Sequence, residues 1–213
     1  MSLTVKICGL KTVDAVRASV ENGAAYVGFV FFEKSPRHVT PFDAQVLSGH
    51  VPQHVTKTGL LVDATDDEIE VILGTVPLNL LQLHGSETPA RVSAIKEKFQ
   101  LPVMKAIAVA DEGDVKSAKD YEGPADRLLF DAKPPKGADR PGGHGAPLPW
   151  GLLAGQSFET PWMLAGGLTP ENLAEAVTQS GAAAVDVSSG VEDTPGFKSP
   201  NKIKEFLAIA AGL

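Results

Sequence analysis

The chain carries one cysteine, Cys8, in 213 residues. No intrachain disulfide can form, so nothing points to secretion and a cytoplasmic, reducing compartment fits. Zinc sites built on several cysteines are excluded on the same ground. Long apolar runs are missing as well: the longest, AAYVGFVFF, is far too short to span a bilayer. The opening MSLTVK lacks the apolar core of a signal peptide. Positive charge is in deficit, with 19 Lys and Arg against 26 Asp and Glu and a net charge of −7. That argues against a nucleic-acid partner or an anionic-membrane surface, both of which need clustered Lys and Arg. A small phosphorylated ligand stays open, because backbone amides hold phosphate without net positive charge.

What is present is a repeating pattern. A hydrophobic fraction of 43% supplies a sizeable core. Eight β-branched or apolar runs, bounded by turn residues, read as strands: TVKIC, YVGFVF, KTGLLVD, NLLQLH, PVMKAIAV, RLLFDA, WMLAGG and AAVDVSS. Most lead into a helical pattern with a start signal. Thr65-Asp66-Asp67-Glu68 is a capping box. Thr40-Pro41, Thr88-Pro89, Thr169-Pro170 and Ser199-Pro200 each set a capping hydroxyl before a proline suited to a first helical turn. A further helix is expected to begin near Trp150. Strict strand–helix alternation means parallel strands with crossovers. Eight such units predict one α/β domain over residues 1–213, a (β/α)8 barrel (TIM barrel) somewhat shorter than the usual ~250 residues. A doubly wound open sheet is the alternative, but its G-x-G-x-x-G turn is absent. The long stretch AKPPKGADRPGGHGAPLP, rich in proline and glycine, follows the sixth strand and is expected on the active face.

Alternation along a strand assigns side chains to the barrel interior or to the helix layer. In TVKIC the apolar Val5 and Ile7 face the helices, which turns Lys6 and Cys8 inward. The same parity turns Gln82 and His84, Leu129 and Asp131, and Asp186 and Ser188 inward. Cys8, His84, Asp131 and Asp186 therefore converge on the mouth at the C-terminal strand ends, where barrel enzymes carry their active sites. One polar residue in one strand is usually a structural hydrogen-bonder; four from four strands are harder to ascribe to packing. Two glycine-bearing segments, AGGLTPEN (165–172) and DVSSGVE (186–192), follow the seventh and eighth strands, the loops that frequently bind phosphate. Gly166 and Gly167 open backbone N–H groups to a phosphate, Ser188 and Ser189 offer hydroxyl donors, and Gly190 permits a positive φ.

The segments KICGL, GFVFFEKSPRHV, LQLHGSE, LLFDA, PGGHG, LAGGLTPENL and DVSSGVEDTPGFK occur in this order. Through them the chain resembles the phosphoribosylanthranilate isomerases of tryptophan biosynthesis over essentially its whole length. The resemblance implies a (β/α)8 fold, no metal or organic cofactor, and one phosphorylated substrate. The implied reaction is an Amadori rearrangement of N-(5′-phosphoribosyl)anthranilate to 1-(2-carboxyphenylamino)-1-deoxyribulose 5-phosphate. By matching motifs, Asp131 takes the general-acid role, Cys8 the general-base role, and Arg37 engages the anthranilate carboxylate. His84 and Asp186 fall to substrate binding, and Gly166, Gly167, Ser188, Ser189 and Gly190 to phosphate binding. Both monomer and homodimer are compatible with the sequence.

These roles make physical demands. Carboxyl groups ionise near pH ~4, so a carboxylic acid working at neutral pH needs burial or neighbouring negative charge, which Asp186 could supply. A thiol near ~8.5 needs some lowering to act as a base, and Lys6 is the expected cause. His144 and Leu148-Pro149 depart from the family pattern in the glycine-rich loop, which puts a side-chain role for that loop in question. Rival phosphosugar barrels fit less well. An epimerase needs metal-binding histidines on several strands, and an indole-glycerol-phosphate synthase needs lysine and glutamate at strand ends. A noncatalytic phosphate-binding protein is the remaining class, and the presence of both acid and base candidates speaks against it.

Overall fold

A computed structural model describes residues 3–134, 137, 142 and 148–213. Eight strands among the described residues build the barrel: β1 (Thr4–Cys8), β2 (Tyr26–Val30), β3 (Thr56–Leu61), β4 (Leu80–Leu83), β5 (Val103–Val109), β6 (Arg127–Ala132), β7 (Trp162–Leu164) and β8 (Ala184–Val187). They pair in sequence order, all parallel, and β8 returns to β1 to close a barrel. The expected (β/α)8 architecture is what the chain adopts. Around it lie helices α1 (Val13–Glu21), α2 (Pro41–Ser48), α3 (Asp66–Thr75), α4 (Pro89–Phe99), α5 (Glu112–Ser117), α6 (Leu173–Ser180) and α7 (Pro200–Ala211). A short hairpin, β9 (Glu192–Thr194) and β10 (Phe197–Lys198), follows β8. No helix among the described residues is long and apolar enough to cross a membrane.

Parity sorts the core as the alternation requires. Leu80, Met104, Ala106, Leu129, Met163, Ala165 and Ala184 form a separate cluster inside the barrel. Val5, Ile7, Val27, Phe29, Leu81, Leu83, Leu128 and Phe130 belong to the larger core between sheet and helices. The interior cluster contains nothing from β1 and only Tyr26 from β2, because β1 turns Lys6 and Cys8 inward instead.

Start signals are realised unevenly. Thr40 and Thr65 complete capping boxes with Asp43 and Glu68, and Thr88 caps α4 through Arg91 N–H. Thr169 does not open a helix. The side chain of Asn172 accepts from Thr169 N–H and donates to Gly167 C=O, which holds the loop and delays α6 to Leu173. Ser199 precedes α7 but makes no side-chain cap bond. Near Trp150 only a 3₁₀ turn forms, Trp150–Leu153. Pro149, Gly151 and Gly155 crowd that segment with residues unsuited to a helix interior. In place of a crossover helix, Phe158 packs on Phe130 and Trp162, at ring separations of 5.0 and 6.4 Å.

One ion pair holds the end of β4. Lys105 Nζ lies 2.8 Å from Glu87 Oε2 with both side chains buried, and it donates to Leu83 C=O (3.4 Å) and Gly85 C=O (2.7 Å). Glu87 in turn accepts from Gly85 N–H and Asp63 N–H. The backbone on both sides of His84 is thereby fixed. Removing one partner strands a buried charge, so Lys105→Met is expected to cost about 3–5 kcal/mol in urea unfolding. The double variant Lys105→Met/Glu87→Met should recover a large part of that loss; an additive loss would show that the pair is not what matters.

Candidate active site

A pocket at the C-terminal mouth is lined by Cys8, Arg37, His84, Asp131, Gly142, Asp186 and Ser188, among others. The structure thus brings together all four strand-end residues picked by parity, and adds Arg37 from the loop after β2. Each is placed by its strand. Cys8 ends β1, and its Sγ lies where a Cβ on Gly28 of β2 would stand 2.9 Å away; that same Cβ would meet Lys6 Nζ at 3.3 Å. Glycine at 28 is what leaves room for the thiol and the ammonium.

Lys6 is wholly buried, and its Nζ bonds Asp186 Oδ1 at 2.7 Å across the β1–β8 seam. Burial opposes its charge, yet Asp186 and the neighbouring Cys8 prevail and hold the ammonium pKa above its ordinary value. The Cys8 thiol goes the other way from expectation. Burial pushes its pKa up, Lys6 pulls it down, and Asp186 pushes it up again, with a net rise. Lys6 does act in the expected direction, but it is paired to Asp186 and cannot offset desolvation. The pairing also answers the expectation that Asp186 supplies negative charge to the mouth, since its carboxylate is already matched by an ammonium.

Asp131, at the end of β6, accepts from Ala132 N–H at Oδ1 (2.8 Å), while its Oδ2 is 3.2 Å from His84 Nε2. On the other side of the imidazole, Gln82 Nε2 is 3.0 Å from His84 Nδ1. His84 is therefore a partner of Asp131 at the pocket wall rather than a core histidine.

Arg37 is 5% exposed, not an exposed loop residue. Its Nε and one terminal nitrogen donate to the two carboxylate oxygens of Glu192 at 2.7 and 2.9 Å, a two-bonded fork that fixes the guanidinium plane. A Cβ on Gly9 would stand 2.7 Å from Arg37 Cδ, so glycine there seats the side chain. Glu192 also accepts from Lys198 at 2.8 Å. Burial raises the Glu192 pKa, but Arg37 and Lys198 outweigh it and keep the carboxyl below the usual range. Lys198, buried beside Arg37, is lowered to about 8 despite Glu192. Glu192 and Lys198 stand in the DVSSGVEDTPGFK segment, but nothing local marks them as partners of an arginine 155 positions away from Glu192.

The predicted phosphate residues lie in the loops after β7 and β8, with altered reasons. Gly166 and Gly167 have φ of 83° and 65°, and a Cβ on Gly166 would stand 2.7 Å from Ala132 N and 3.2 Å from Asp131 Oδ1. Gly190 does not take a positive φ. It is needed because a Cβ there would collide with Leu168 C=O, so the two loops meet at backbone distance. The Ser188 hydroxyl is not a spare donor: it bonds Cys8 C=O at 3.1 Å and faces Lys198 Nζ at 3.1 Å. Ser189 opens a 3₁₀ turn, Ser189–Val191, whose backbone starts beside this contact. His144 lies outside the described residues, while Leu148 is buried. Among the described residues, no group of three or more His, Cys, Asp and Glu is arranged to hold a metal.

Comparison with known proteins agrees with this geometry. The family model described as N-(5′-phosphoribosyl)anthranilate (PRA) isomerase matches residues 5–208. The N-(5′-phosphoribosyl)anthranilate isomerase of Paramagnetospirillum magneticum is 55% identical, over 100% of this chain and 99% of that protein. The crystal structure of the Thermotoga maritima phosphoribosyl anthranilate isomerase superposes with a TM-score of 0.89 at 38% identity, covering 99% of this chain and 100% of that one. A phosphoribosyl anthranilate isomerase in complex with reduced 1-(o-carboxyphenylamino)-1-deoxyribulose 5-phosphate gives a TM-score of 0.84 at 35% identity, with coverage of 99% and 100%. With a match along nearly its whole length and the pocket at the mouth of a closed parallel barrel, the chain belongs to the N-(5′-phosphoribosyl)anthranilate isomerase family.

Proposed function

We propose that the chain isomerises N-(5′-phosphoribosyl)anthranilate to 1-(2-carboxyphenylamino)-1-deoxyribulose 5-phosphate, a step of tryptophan biosynthesis, as one cytoplasmic (β/α)8 domain. The observation that carries this reading, beside family membership, is the convergence of a thiol, a carboxyl and an arginine on one pocket: Cys8 at the end of β1, Asp131 at the end of β6, and Arg37 between them in function.

Asp131 gives a proton to the furanose ring oxygen as the C1–O bond breaks, and the anilino nitrogen lone pair forms C1=N. The iminium draws electrons from C2. Cys8, as thiolate, takes the C2 proton; the C2–H electron pair becomes the C1=C2 bond and the C=N pair returns to nitrogen. The enolamine then gains a proton at C1 and loses the one on O2, which leaves the ketone. Lys6 is the cation beside Cys8 that supports the negative charge on sulfur before the thiolate takes the proton. Arg37, with its plane set by Glu192, receives the anthranilate carboxylate, and Asp186 and His84 face the sugar from β8 and β4. The phosphate falls to the backbone of Gly166, Gly167, Ser189 and Gly190, with Ser188 holding the loop to Cys8.

The test is the fall in fluorescence as the purified protein consumes N-(5′-phosphoribosyl)anthranilate. Asp131→Asn and Cys8→Ser are each expected to lower kcat by about 10²–10⁴, the range for an acid or base in the transition state, with KM changing less. Wild-type turnover in either variant removes that residue from the mechanism. The titration of Cys8 gives a second readout. Its raised pKa means that iodoacetamide labelling, followed by mass spectrometry, rises at higher pH than for a free cysteine. Lys6→Met removes the lowering charge and frees that of Asp186, so the labelling profile should move further up. An unchanged profile would show that Lys6 does not act on the thiol.

A further inference from the structure

Gln82 is wholly buried on the inward face of β4 and has no role in the chemistry above. Its amide nitrogen is 3.0 Å from His84 Nδ1, and His84 Nε2 is 3.2 Å from Asp131 Oδ2. An amide nitrogen only donates, so Nδ1 must accept; in the neutral ring the hydrogen then sits on Nε2, aimed at Asp131. We propose that Gln82 is a positioning residue for the acid: by donating to Nδ1 it selects the imidazole tautomer that presents an N–H to the Asp131 carboxyl.

The opposite arrangement is worse on two counts. Turning the amide over would let Oε1 accept from Nδ1–H, but once Asp131 has given up its proton the lone pair of Nε2 would face its carboxylate oxygen, acceptor against acceptor. It would also put the NH₂ group where Oε1 now has no hydrogen-bond partner among the described residues. Orphaned N–H groups inside a protein are rarer and costlier than an under-satisfied carbonyl. The carboxylate that remains after Asp131 gives up its proton thus meets two donors, Ala132 N–H at Oδ1 and His84 N–H at Oδ2, and its plane is held toward the pocket. The backbone that carries the imidazole is held as well, because Lys105 donates to the carbonyls on both sides of it.

The proposal rests on Asp131 being the acid, but the tautomer is testable without turnover. In ¹⁵N spectra of the full chain labelled at histidine, His84 should show a protonated Nε2 and an unprotonated Nδ1. Gln82→Met keeps the side-chain volume without a donor and should release that bias. Gln82→Glu, at a pH where its carboxyl is ionised, offers only acceptors and should move the hydrogen to Nδ1. In both variants kcat is expected to fall about tenfold, the scale of one hydrogen bond lost at the transition state, with KM within about twofold. A wild-type spectrum with the hydrogen on Nδ1 overturns the proposal, as does an unchanged tautomer in Gln82→Met. A changed tautomer with wild-type kcat overturns the positioning role alone. A wild-type protein that shows the Nε2–H tautomer but turns over no substrate overturns the functional reading instead, and with it the positioning role.

Discussion

The buried pair of Lys6 and Asp186 is the constraint on which the rest of the mouth depends. It joins the first and last strands at the seam where the barrel closes, in register and at 2.7 Å. Two ions without water are tolerated only when paired this closely, because desolvating either alone costs several kcal/mol. The pair takes interior space that aliphatic side chains fill at β4 to β8, and it fixes the polarity of this end of the barrel. Cys8 then finds itself one step along the same face, beside an ammonium already committed to a carboxylate. The thiol inherits a balanced field and a dry surround, so its deprotonation answers to burial first.

A second chain of charges flanks the first. Arg37, Glu192 and Lys198 form a buried cation–anion–cation run, and Lys198 reaches Ser188, whose hydroxyl touches the carbonyl of Cys8. Two cations share one carboxylate, and burial, with a smaller contribution from Arg37, lowers the Lys198 pKa in spite of Glu192. Orientation is what this run provides: a guanidinium with two of its donors bound by a neighbouring carboxylate is held in plane.

Much of this could be read from the sequence because period-two alternation is a local property. The strand runs and the inward parity of Lys6, Cys8, Gln82, His84, Asp131 and Asp186 needed only neighbouring residues. Helix starts at Thr40, Thr65 and Thr88 were legible for the same reason. Thr169 misled because Asn172, three residues on, turns its side chain back onto Thr169 and Gly167 and holds them in a loop. The Trp150 segment misled because a hydrophobic run with two glycines looks helical by pattern while its backbone entropy opposes it. Long-range electrostatics were invisible: neither the pairing of Arg37 with Glu192 nor the outcome for the Cys8 thiol follows from spacing. The glycines were found but partly misjudged, since close approach at Gly190 depends on a loop far from it in sequence.

The Arg37–Glu192 fork has a consequence for how the protein comes into being. It joins residues 155 apart, and the Lys6–Asp186 pair joins residues 180 apart. Contacts of such separation form against the full entropy of chain closure and come late in folding. No partial barrel that lacks β8 can hold either pair, so an arc of strands emerging during synthesis contains Lys6 and Arg37 with neither of their carboxylates. Competence at the mouth is therefore a property of the closed ring alone, acquired when the last strand docks on the first.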